Sequence, residues 1–130
     1  MNRSRELAGL MLQKAREDAY VLARSIDDPA MPEWVLGFHA QQAVEKALKA
    51  VLCARDLQHP RTHDLSELLD LVRDAGIALP PDEDQLPELT PFGTQFRYEP
   101  FTSSDPDQKL DRVRVMSQVE RTIQWCAEVL

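Results

Sequence analysis

Three stretches of this chain carry an apolar residue every three or four positions, a spacing that restricts them to helices packed side by side. The first runs from about Ser4 to Ser25, where Ala8, Leu12, Ala15, Ala19, Leu22 and Ile26 recur and Leu7 and Met11 widen the stripe. The second starts near Pro32 or Glu33 and continues to about Ala54, with Leu36, Ala40, Ala43, Val44, Ala47 and Val51 on a broad apolar face. Pro32 suits a first turn, where its missing N–H costs nothing. In the last, Leu110, Val113, Met116, Val119, Ile123, Cys126 and Leu130 carry the stripe to the end. Ser104 reads as the cap of that helix, with Pro106 in its first turn and Asp107 at the third helical position.

Shorter elements lie between them. Asp64, with Glu67 three residues on, resembles a capping box for a helix from Leu65 to Asp74, and Thr62 is the alternative cap. Leu65, Leu68, Leu69 and Val72 form its apolar side, and Gly76 supplies a stop. The stretch after it holds Pro80, Pro81, Pro87, Pro91 and Pro100. It predicts a short helix between Glu83 and Phe96, which Pro87 breaks. Gly is scarce, and Leu, Ala, Val, Glu, Lys, Arg and Gln are abundant, which favours helix throughout. The expectation is all-α: an up-and-down helical bundle of three long helices plus one or two short ones, in one domain over residues 1–130.

The formal charge of −7 disfavours a protein that grips a nucleic-acid backbone, since phosphate contacts need clustered Lys and Arg. A local basic cleft or a basic protein partner stays compatible with it. Cys53 and Cys126 sit among apolar residues without CxxC spacing, as buried free thiols of a reducing compartment do. No apolar run is long enough to span a bilayer, and the polar start is unlike a signal peptide. The expected location is the cytoplasm.

Chemistry concentrates in two places. On the second helix His39, Gln42, Lys46 and Lys49 fall within about 80° of one another, away from the apolar face. Lys46 and Lys49 can attract phosphate, Gln42 can meet a base or a backbone, and neutral His39 can do the same. A solvated Lys-rich face explains them as well, and Glu45 pairs with Lys49 at a helical turn's spacing. The link after that helix holds His59, Pro60, Arg61, Thr62 and His63. Pro60 keeps the two histidines from sharing a helical face, so no metal site is expected. Further on, Arg97 can reach a carboxylate or phosphate while Tyr98 packs, or Arg97 can pair with a nearby acid. Trp125 reads as core, and Trp34 as core or interface.

Taken together, "FHAQQAVEKALKAVL", "HPRTHDLSELL" and "FRYEP" resemble the HEPN family, the helical domains named for higher eukaryotes and prokaryotes nucleotide binding. Gln42, Glu45, Lys46, Lys49, His63, Asp64, Leu65, Arg97 and Tyr98 stand at the family's marked positions. The resemblance implies a helical bundle that forms a homodimer. It also implies a minimal nucleotidyltransferase partner, in a toxin–antitoxin type of module, and a nucleotide ligand. No cofactor and no membrane association are implied. On this reading Gln42, Lys46, Lys49, Arg61, Arg97 and Tyr98 bind nucleotide or partner, and no residue is catalytic.

Other family members are metal-independent ribonucleases that use an Arg and a His about four to six residues apart, paired across a dimer interface. The physical logic is sound, since His moves a proton and Arg stabilises developing phosphate charge. Here three residues separate Arg55 from His59, seven separate Arg55 from His63, one separates Arg61 from His63, and no histidine follows Arg97. The strict motif is absent. A ribonuclease acting on RNA would need a looser site from His63, His59, Arg61 and Arg55. A helical adaptor that only binds another protein is the third reading.

Overall fold

The structure, a computed structural model, describes residues 3–93 and 109–130. The elements described in full are α1 (Arg3–Ser25), α2 (Glu33–Ala54), α3 (Leu65–Asp74) and α4 (Arg112–Val129), with a 3-10 turn at Leu86–Leu89 between α3 and α4. Among the described residues there is no strand.

α2 is the axis of the fold. It packs against α1 most extensively, and also against α3, α4 and the 3-10 turn. Twelve of its 22 residues are buried. Such a helix cannot be polar on one broad face; it keeps only a narrow outward stripe. Ala40, Ala43, Ala47 and Ala50 are all buried, which lets neighbouring helices approach closely. α1 contributes Ala8, Leu12, Ala15 and Leu22 to the core, and α4 contributes Val115, Val119, Trp125 and Cys126. Leu7 does not join that core; it is 43% exposed.

Hydrogen bonds between helix ends fix their directions. Cys53, near the end of α2, donates from Sγ to the Ser4 carbonyl at the start of α1. Arg55, just past α2, donates to the Val129 carbonyl at the end of α4. α1 is therefore antiparallel to α2, and α4 runs alongside α2 in the same direction. The bundle is up-and-down.

α3 follows its local sequence signals at both ends. The Asp64 side chain accepts from the Ser66 N–H, 3.0 Å away, as an N-cap. Thr62 does not cap; its hydroxyl accepts from the Asp64 N–H. At the other end Gly76 takes φ +78, Ile77 N–H bonds the Val72 carbonyl and Gly76 N–H bonds the Arg73 carbonyl. This is a Schellman stop that seats the buried Ile77 against the core. The described part of the proline-rich stretch holds the 3-10 turn, with Pro87 in its first turn, followed by Pro91, Phe92 and Gly93 in helical conformation.

α4 begins later than its sequence suggests. Lys109 and Leu110 are not helical, and Asp111 is the cap, its side chain accepting from the Arg114 N–H. Ser104, Pro106 and Asp107 lie outside the described residues. The start is set by a long-range clamp. The Leu110 N–H donates to the Glu33 carboxylate. Arg112 donates to the carbonyls of Ile26, Asp28 and Met31, and twice to Glu33 Oε1, at 2.7–3.2 Å. One guanidinium thus ties the α1–α2 loop to the first turn of α4. Burial pushes the Glu33 carboxyl up, but the bonds from Arg112 and Leu110 outweigh it and hold it below its ordinary range.

Candidate functional site

The outward stripe of α2 lies between α1 and the link before α3, and it carries two carboxylate-centred clusters. The first is built on Asp18 of α1. Asp18 falls between Ala15 and Leu22 of the apolar stripe, so its position on α1 aims it at α2. Its Oδ1 lies 3.0 Å from His39 Nδ1, and its Oδ2 accepts from Lys46 Nζ at 2.5 Å. The Asp18 side chain is 12% exposed.

The second cluster is built on Glu45. Its Oε1 accepts from Gln41 Nε2 at 2.7 Å and from His63 Nδ1 at 2.9 Å, while Oε2 accepts from Lys49 Nζ at 2.9 Å. Gln41 is fully buried, and its amide is fully used. Its Nε2 also reaches the His63 carbonyl, and its Oε1 accepts from Gln42 Nε2 at 2.8 Å. Behind it, a Cβ on Gly93 would lie 2.7 Å from Gln41 Cδ, so only glycine lets that segment seal the amide. Burial pushes the Glu45 carboxyl up, but hydrogen bonds from Lys49, Gln41 and His63 outweigh it and hold it below its ordinary range.

An ionised carboxylate only accepts, so His63 donates from Nδ1. That fixes its tautomer when neutral and leaves Nε2 as the free ring nitrogen of a half-exposed side chain. Lys49 is largely buried against Glu45, and Lys46 is about one third exposed against Asp18. Each lysine charge is therefore balanced by a carboxylate of the same chain.

The structure brings Gln42, Lys49 and His63 into one network and places Lys46 beside it in the other. Arg61 is exposed on the link. Arg55 is occupied at the α4 end, and His59 has a buried Nδ1 without a hydrogen-bond partner among the described residues, in a shallow cleft with Ser4, Cys53 and Asp56. Both follow the end of α2 in the chain, and Arg55 stands ten residues beyond Glu45, about 15 Å of helix rise. Arg97 and Tyr98 lie outside the described residues. Gln41 and Asp18 are the site residues that sequence reasoning missed. Asp18 left one signal, a carboxylate at a core-facing position of α1. Among the described residues no group of His, Cys, Asp and Glu is arranged to hold a metal ion. Among them, too, no helix is long and apolar enough to cross a membrane.

The HEPN domain family model matches residues 8–129, nearly the whole chain. The chain belongs to the HEPN domain family. No curated protein and no solved structure matches it.

Proposed function

We propose that this HEPN chain is a noncatalytic, cytoplasmic module that docks a minimal nucleotidyltransferase, in a pair of toxin–antitoxin type, and takes a nucleotide as an accessory ligand. The supporting observation is charge balance along α2. Lys46 and Lys49, the cations best placed to hold phosphate, are each committed to a carboxylate of their own chain. What remains outward is Gln42, His39 and His63, with Trp34 and Phe38 towards the start of α2 and Arg61 on the link. Polar, aromatic and Arg groups without a strong field suit a protein partner better than a polyanion.

The Glu45–His63 pair favours a second reading, a metal-independent ribonuclease. A carboxylate that fixes an imidazole with Nε2 outward is the arrangement a general base requires. This site would use His63 without the Arg spacing of the family's ribonucleases.

The test is affinity purification from the native host at two salt concentrations, with proteins and nucleotides identified by mass spectrometry. A stoichiometric small nucleotidyltransferase, lost on Arg61→Glu, supports the docking module. Its absence, together with metal-independent RNA cleavage abolished by His63→Ala, would replace it with the ribonuclease.

A further inference from the structure

Between the 3-10 turn and the start of α4 lies a cavity that the α2 clusters do not use, lined by described residues. Its floor is apolar. Leu89, Phe92 and Val115 are 3%, 8% and 3% exposed, and the partly buried Leu110 completes it. Packing holds both walls. Phe92 sits so close to α2 that a Cβ on Gly37 would lie 2.2 Å from its ring. The opposite wall is fixed where the Leu110 N–H meets the Glu33 carboxylate, next to the Arg112 clamp. A site held in this way is formed before a ligand arrives.

One buried group says what the cavity can take. Gln118 lines it and is only 2% exposed. Its Nε2 donates to Gln85 Oε1 at 2.6 Å, while its Oε1 has no hydrogen-bond partner among the described residues. A buried amide oxygen calls for a donor. Both signs of charge stand around it. Lys109 is exposed and forms no ion pair among the described residues. Arg114 and Glu88 are 3.4 Å apart with half-exposed side chains, a pair that contributes little and can open to a ligand. Asp111 uses one oxygen on the Arg114 N–H.

Size narrows the choice further. The cavity holds about 220 Å³. A cavity of roughly 150 Å³ takes a benzene, and pockets for drug-sized ligands begin near about 300 Å³. The space suits a small molecule with a branched or aromatic body and is too small for a whole nucleotide.

We propose that this cavity binds a free apolar α-amino acid. The side chain lies on Leu89, Phe92, Leu110 and Val115. The carboxylate meets Lys109 and Arg114, and the ammonium donates to Gln118 Oε1 with Glu88 beside it. The site is separate from the α2 stripe and from the nucleotide of the docking reading.

Amide chemical shifts of the whole chain, titrated with L-leucine and with L-phenylalanine, test it. At least one of them shifts Leu110, Val115 and Gln118 saturably, with a dissociation constant of about 1 mM or tighter. Leucinamide, which lacks the carboxylate, and N-acetyl-L-leucine, which lacks the ammonium, each bind about tenfold or more weakly by comparison. Val115→Trp fills the cavity and abolishes binding. Lys109→Glu, at an exposed position that leaves the fold intact, weakens it about tenfold. Three results would each overturn the proposal: no saturable shift with either amino acid, equal binding of either blocked derivative, or binding indifferent to Lys109→Glu. Neither co-purification nor RNA cleavage enters this titration, so its failure leaves the docking reading untouched.

Discussion

Glu45 shows how one buried carboxylate can govern several neighbours. Its four acceptor directions are largely filled by Gln41, Lys49 and His63, so replacing it strands a largely buried ammonium and frees an imidazole. Glu45→Gln should lower stability by about 1–3 kcal/mol at neutral pH, measured by urea denaturation. The sign of the pH dependence follows from the depressed carboxyl. The folded state holds the proton less tightly than the unfolded chain, whose ordinary value is 4.5. The stabilisation is complete above that value and is lost as pH falls through the lower folded one. The gap in melting temperature between wild type and Glu45→Gln should therefore close as pH drops from neutral to below the folded value. The cysteines separate as sharply. Cys126 is buried, its Sγ donates to the Ala47 carbonyl, and burial pushes its thiol up to about 12. Cys53 is only partly buried. Iodoacetamide should label Cys53 alone in the native protein, which peptide mapping would show.

Among the elements, α3 and α4 differ in where their boundaries are written. α3 was legible in the sequence because both stops are local: Asp64 caps its start, and Gly76 takes the left-handed turn at its end. α4 was not: Asp111 caps it where Glu33 and the carbonyls of the α1–α2 loop, far away in sequence, hold Leu110 and Arg112. The candidate site divides in the same way. The shared face of His39, Gln42, Lys46 and Lys49 could be read from helical spacing, since it lies within one element. Their counter-charges could be read only for Glu45, one turn from Lys49; Asp18 arrives from α1 through the packing of two helices. Arg112→Lys should cost about 2–4 kcal/mol in urea denaturation, since a single ammonium cannot reach the carbonyls and the carboxylate that the planar fork spans.

At the scale of the whole molecule, α2 holds the other elements in place. It touches each of them, whereas α3 packs on α2 and the 3-10 turn. Native-state hydrogen exchange should therefore find the slowest amides around Val44–Val51 of α2, opening only with global unfolding. Amides of α3 should exchange through smaller, earlier openings. Faster exchange in the middle of α2 than in α3 would contradict this order. The Arg112 clamp carries a different consequence, for how relatives of this chain can vary. Three of its acceptors, at Ile26, Asp28 and Met31, are main-chain oxygens, which every residue type supplies. The clamp itself therefore asks nothing of the side chains at those three positions; it asks only that the backbone path be kept. The guanidinium has no such freedom, and in divergent descendants residues of the loop should change around an unchanged arginine.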